Sequence, residues 1–136
     1  MRNVLRLLPG LAMALTLGTL TTGVSAHHSF GATYEIAKEI KLQGKLVQVV
    51  YRNPHSFVHI EAPDANGVKQ RWAVEWGGTA QLSNQGVKRN SLSVGDELVI
   101  TARPSRAPGE YRVLMVTLTR PSDGFGWGRG AGQVVE

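Results

Sequence analysis

Beyond residue 38 the apolar side chains recur at every second position in short runs, and glycine, proline or Asn-Gly interrupts each run. Period-two alternation puts successive side chains on opposite faces of an extended backbone, so these runs read as half-buried strands. Residues 39–51 form the first, with Ile40, Leu42 and Leu46 on one alternation and Val47, Val49 and Tyr51 on the other. That change of phase around Gly44 predicts a bulge or a strongly coiled strand. Asn53-Pro54 breaks the run. Residues 55–62 form the second strand, with His55, Phe57, His59 and Glu61 sharing a face. The turn Pro63-Asp64-Ala65-Asn66-Gly67 then closes a hairpin, because Asn-Gly accepts the positive φ such turns require. Residues 69–76 form the third, with Trp72, Val74 and Trp76 opposite Arg71, Ala73 and Glu75.

Gly77-Gly78 ends that strand, and Thr79 can N-cap a short helix through Leu82 and Gln85 that stops at Gly86. Strands over 97–103 and 111–119 follow, joined by a loop rich in proline and glycine. The chain is therefore all-β with one short helix. Three strands, a helix and two strands give the element order of an OB-like fold, a small five-stranded barrel. A split β-sandwich would show similar periodicity. Residues 27–38 read as a lead-in whose Phe30 and Tyr34 dock on the core. The barrel domain spans 27–120, and residues 121–136, with a glycine at every second position from Gly124 to Gly132, read as a disordered tail.

Residues 1–26 read as a signal peptide. Arg2 and Arg6 precede an apolar run from Leu7 to Leu20, and Val24-Ser25-Ala26 offers small residues for cleavage. That run is shorter than the roughly twenty residues of a membrane span, so no stable span is expected after processing. The implied location is periplasmic or secreted. Removing 26 of the 136 residues leaves 110, enough for one domain. Basic residues fall from 15 to 13 against 10 acidic ones, a net charge of +3 with no run that would track phosphates. Nucleic acid is not an expected partner. There is no cysteine, which excludes disulfides, thiolate metal sites and cysteine nucleophiles.

With these pieces in place, the chain resembles the bacterial domain of unknown function 6152 family of small exported proteins. The resemblance rests on His27-His28-Ser29-Phe30, Asn53-Pro54-His55, residues 72–75 in the third strand, Gly95-Asp96, and Val116-Thr117-Leu118. It implies export and a fold more than an activity. Tyr34-Glu35 and the glycine-rich tail depart from the pattern.

Cleavage after Ala26 would make His27 the first residue, with a free α-amine beside its imidazole, a chelate suited to copper. His55, which follows Asn53-Pro54, is the preferred third ligand. His59 shares its strand face but lies about 13 Å further along at ~3.3 Å per residue, so the two cannot share one ion. His28 offers an alternative chelate with the amine and the intervening amide. Zinc would want a fourth ligand from Glu75 or Glu61. Glu75 is also a cross-strand neighbour for His55 or His59, either as an acid–base partner or as a carboxylate that orients a metal-bound imidazole. The plainer reading makes His55 and His59 ordinary half-buried barrel residues.

Trp72 reads as core, whereas Trp76 and Tyr51 could stack a ligand. Ser29, Ser56 and Ser105 lack the glycine elbow of serine hydrolases, so the chain reads as a binding module rather than an enzyme. Two functions follow: copper binding at the processed amino terminus, or a metal-free module holding a peptide, glycan or small molecule on its strand face near Trp76 and Tyr51.

Overall fold

The computed structural model describes residues 29–128. Its elements are α1 (Phe30–Thr33), β1 (Ile40–Val50), β2 (Phe57–Pro63), β3 (Lys69–Glu75), α2 (Thr79–Asn84), β4 (Glu97–Pro104), β5 (Arg112–Arg120) and β6 (Phe125–Gly128). The strand order is β3-β2-β1-β4-β5-β6, with antiparallel neighbours throughout. A parallel pairing of β3 with β5 closes the first five strands into a barrel, and α2 lies between β3 and β4 in the chain, as expected for the OB type. Among the described residues, no helix is long and apolar enough to cross a membrane.

The alternation read from the sequence becomes the core. Leu46, Val58, Ile60, Val74, Leu98, Ile100, Val113 and Leu118 are fully buried, and Trp72 joins them edge-on to Tyr111. Leu82 of α2 is equally buried, so the helix caps the barrel with one apolar side chain. The phase change in β1 is real, but it lies three residues later than Gly44. Leu46 pairs with Ile60 and Gln48 with His59, leaving Val47 as the extra residue of a bulge. Gly44 serves a different purpose. A Cβ there would stand 2.0 Å from the Glu61 carbonyl oxygen, so the glycine lets β1 coil closely across β2.

Two further departures bear on the site. The start of α2 is not capped by Thr79, which is its first residue after an N-cap at Gly78. Asn53 supplies the oxygen instead: its Oδ1 accepts from both the backbone N–H and the hydroxyl of Thr79, at 2.9 Å each. And the glycine-rich stretch is not disordered as far as Gly128. Residues 125–128 form β6 against β5 after a turn in which Arg120 grips Asp123 and Gly124 takes φ +76°. The glycines alternate with Phe125 and Trp127, which pack against the core, so composition concealed an ordinary strand. Residues 1–28, which hold the expected leader and His27-His28, and residues 129–136 lie outside the described residues.

Candidate functional site

The lead-in segment is lashed to the end of β4. Tyr34 bridges to Ser105, the Glu35 N–H donates to the Pro104 carbonyl at 2.9 Å, and the Arg106 N–H donates to the Thr33 carbonyl at 2.9 Å. This lays α1 over the closing strands and buries Tyr34 almost completely. Beneath it lies Glu75, at the end of β3. Its side chain points away from the barrel interior yet is only 4 % exposed, because Tyr34 and the 52–56 loop cover it.

Three donors converge on that carboxylate. The Tyr34 hydroxyl and an Arg112 nitrogen (2.6 Å) donate to Oε2, while His55 Nδ1 donates to Oε1 at 2.5 Å. Arg112 Nε also donates to the Tyr34 oxygen at 2.9 Å. Burial alone would raise the Glu75 carboxyl. The hydrogen bonds from Tyr34 and Arg112, the Arg112 charge and the His55 hydrogen bond outweigh it and hold the group below the usual glutamate range. Burial and the adjacent carboxylate push the Tyr34 phenol well above its ordinary value. The bond to Glu75 likewise raises Arg112.

His55 is set in place by its own loop rather than by β2, which begins two residues later. Ser56, fully buried, accepts from the Arg52 N–H at 3.2 Å and donates to the Arg52 carbonyl at 3.1 Å. Asn53 ties the same loop to α2, and the Pro54 carbonyl lies so near Gly78 that a Cβ there would stand 2.6 Å away. The Asn53-Pro54-His55 stretch is thus a clamp that aims one imidazole. With Nδ1 committed to Glu75, the free ring nitrogen is Nε2. The Phe30 ring lies 5.6 Å from the imidazole, and Ser29, Phe30, His55, Glu75 and Arg112 line a cavity of about 260 Å³.

A family model described as a family of unknown function (DUF6152) matches residues 15–112, a span that includes Tyr34, His55, Glu75 and Arg112. The chain belongs to this family. No curated protein and no solved structure matches it.

The DUF6152 chain brings together His55 and Glu75, as one of the sequence expectations required, and separates the others. His59 lies in β2 opposite Ala73, beside Phe57 and away from Glu75, so it is not the carboxylate's partner. Burial, then the Arg71 charge, lowers its pKa. Glu61 is exposed and faces Lys69 at 3.9 Å, leaving Glu75 as the carboxylate beside His55. Among the described residues, no three side chains of His, Asp or Glu gather at one point. His27 and His28 lie outside those residues.

The stacking platform is not formed. Trp76 is 4 % exposed beneath the edge of Trp127, with ring centroids 5.3 Å apart, and has no face to offer solvent. The Tyr51 hydroxyl is committed to α2 and its exit, through the Thr79 and Val87 carbonyls and Ser83. From the sequence alone, Tyr34 is expected only to dock on the core, and neither it nor Arg112 is linked to Glu75. An acidic residue at a strand end, facing outward between tryptophans and followed by a basic strand start, was the available signal.

Because its folded-state pKa is depressed, Glu75 adds stability above the ordinary glutamate pKa, near 4.3, that is lost as pH falls through the lower folded value. Urea unfolding of wild type and Glu75→Gln should therefore show a stability gap that narrows from about pH 5 downward. A gap independent of pH would show that the carboxylate's charge is not what matters.

Proposed function

We propose that the mature protein, released by cleavage after Ala26 and exported, binds a single copper ion. The ligands are the α-amine and imidazole of His27, with His55 Nε2 as a third nitrogen, in the service of copper storage, delivery or sensing. One observation carries the reading: the 2.5 Å bond from His55 Nδ1 to the buried Glu75. Metal-bound histidines usually donate their other ring N–H to such a carboxylate, which fixes the tautomer and raises ligand basicity. An amine and two imidazoles form a donor set that suits copper. Ser29 lines the same cavity as His55, and two further residues reach at most about 7 Å from it. Copper, when bound, would supply a Lewis-acidic and redox-active centre. The chain's own part is to hold His55 in one orientation and keep the Glu75 charge compensated.

Calorimetry and electron paramagnetic resonance with Cu(II) on protein beginning at His27 test this. We expect one site with nitrogen ligation that is lost on adding a single residue before His27 and in His55→Ala. Glu75→Gln should weaken binding by roughly 10–100-fold, while His59→Ala leaves it unchanged. Equal affinity with and without the added residue would overturn the proposal. Retention in His55→Ala with loss in His28→Ala would assign the amine–amide–His28 chelate instead. Mass spectrometry of the exported protein reads its first residue directly.

A further inference from the structure

The outward face of the closing strands carries a second hollow, and its floor is a small side chain. Phe57 pairs with Val50 of β1 and Glu75 of β3, while in the next row His59 pairs with Ala73, which pairs in turn with Arg112 of β5. Alanine among these larger neighbours leaves space above the sheet. Val50, Arg52, Phe57, His59, Ala73 and Arg112 line a cavity of about 290 Å³ there, close to the lower limit for small-molecule sites, about 300 Å³. Phe57, His59 and Ala73 are only half-buried, so β2 and β3 present the hollow to solvent.

Two guanidinium groups reach Phe57 from strands on either side of β2. Arg52 follows β1 and its Cζ stands 5.8 Å from the ring centroid; Arg112 opens β5 and its Cζ stands 5.4 Å away. Arg112 commits Nε to Tyr34 and Nη2 to Glu75, but its Nη1 has no partner among the described residues and is not buried. Among the described residues, exposed Arg52 hydrogen-bonds through its main chain alone, to Ser56. No carboxylate lines the hollow. Burial, then the Arg71 charge, holds the His59 imidazole below its ordinary pKa, so at neutral pH it is not a third cation. Open guanidinium N–H groups over an apolar floor favour an anion with a flat apolar body, and the guanidinium fork matches a carboxylate. A nucleic-acid strand is the poorer match. Its bases stack on successive aromatic rings along a basic groove, and this lining holds one phenylalanine with no tyrosine or tryptophan.

We propose that the hollow over Ala73 binds a small aromatic carboxylate, its charge held by Arg52 and Arg112 and its ring against Phe57 and Val50. The inference goes beyond the copper reading and does not rest on it, since no metal takes part and His55 is not in the lining.

The test is ¹H–¹⁵N NMR of metal-free protein beginning at His27, at low salt. The probe is benzoate, with benzamide as the same ring without the charge. We expect benzoate to move the backbone amides of Phe57, His59 and Ala73 in a saturable way. Benzamide should bind about tenfold more weakly, as the loss of a charge-assisted hydrogen bond implies. Arg52→Gln, at an exposed position that leaves the fold intact, should weaken benzoate by a similar factor, and added salt should weaken it in the wild type. Ala73→Val, which fills the floor with a residue suited to strands, should abolish the response. Equal affinity for benzoate and benzamide, an unchanged response in Arg52→Gln, or amides that stay still even at high benzoate concentration overturns the proposal. Tighter binding of oligothymidylate than of benzoate at the same amides also overturns it and assigns this face to nucleic acid. Protein with one residue added before His27 separates the two readings. It should lose copper if that reading holds, and its response to benzoate should be unchanged.

Discussion

Glu75→Ala is expected to remove roughly 3–5 kcal/mol of stability, the range for breaking a buried ion pair by deleting one partner. For a domain of about 100 residues that corresponds to a fall in melting temperature of more than about 12 °C. The size follows from how many groups the carboxylate satisfies. Without it, the Tyr34 hydroxyl, 1 % exposed as a residue, loses its acceptor under a lid of protein. Arg112 keeps a charge with no counter-charge beside it, and His55 loses the bond that orients its ring. Arg112 is partly exposed and stacks on Phe57 at 5.4 Å, so water and the ring recover part of its loss. Tyr34 has no such recourse. The shape-conserving Glu75→Gln should cost distinctly less, since an amide oxygen still accepts from two of the three donors. Denaturant melts of both variants decide the matter. A loss under about 1 kcal/mol for Glu75→Ala would mean that the cluster merely fills space.

The second large effect is steric. Gly44→Ala places a methyl carbon 2.0 Å from the Glu61 carbonyl oxygen and 2.9 Å from the Ala62 Cβ, and neither obstacle is a flexible side-chain end. Overpacking in a core typically costs about 1–3 kcal/mol, and a clash against backbone belongs at or above the top of that range. Relief requires β1 and β2 to part near the Lys45–Glu61 pairing, next to the bulge at Val47. Hydrogen exchange should locate the damage there, with β4 and β5 less affected. Gln43→Ala, one residue away and exposed, is the control and should change stability by no more than about 0.5 kcal/mol. An alanine variant as stable as wild type would show that the strands have slack at this crossing.

These two positions also mark what the sequence disclosed. Strand alternation is a local property, so five strands, their hairpin and the helix after Gly78 could be read directly. The phase change in β1 was visible as well. Its placement was not, because the bulge depends on the register with β2, whereas the glycine serves the spacing between strands. The site was half legible. His55 and Glu75 emerged from their shared outward phase near the ends of neighbouring strands. Tyr34 and Arg112 lie 41 and 37 residues from Glu75, and nothing short of the folded chain brings them to it. Trp76 misled because an aromatic at a strand end signals a platform equally well whether or not a later strand covers it. β6, with Trp127, does cover it, and glycine content hid that strand.

Glu75 and Arg112 stand at opposite ends of the short register Ala73–Arg112, Val74–Val113, Glu75–Leu114, where β3 meets β5. The cluster therefore straddles the seam at which the sheet is rolled shut. A chain that has formed its hairpins but not yet joined this seam owns no assembled pocket, however complete its strands are. Any cargo gripped beside Glu75 must act as a rivet across it, and its affinity would be returned as slower opening of the rolled sheet. Amides at 112–114 would then be the place to watch a cargo arrive and leave.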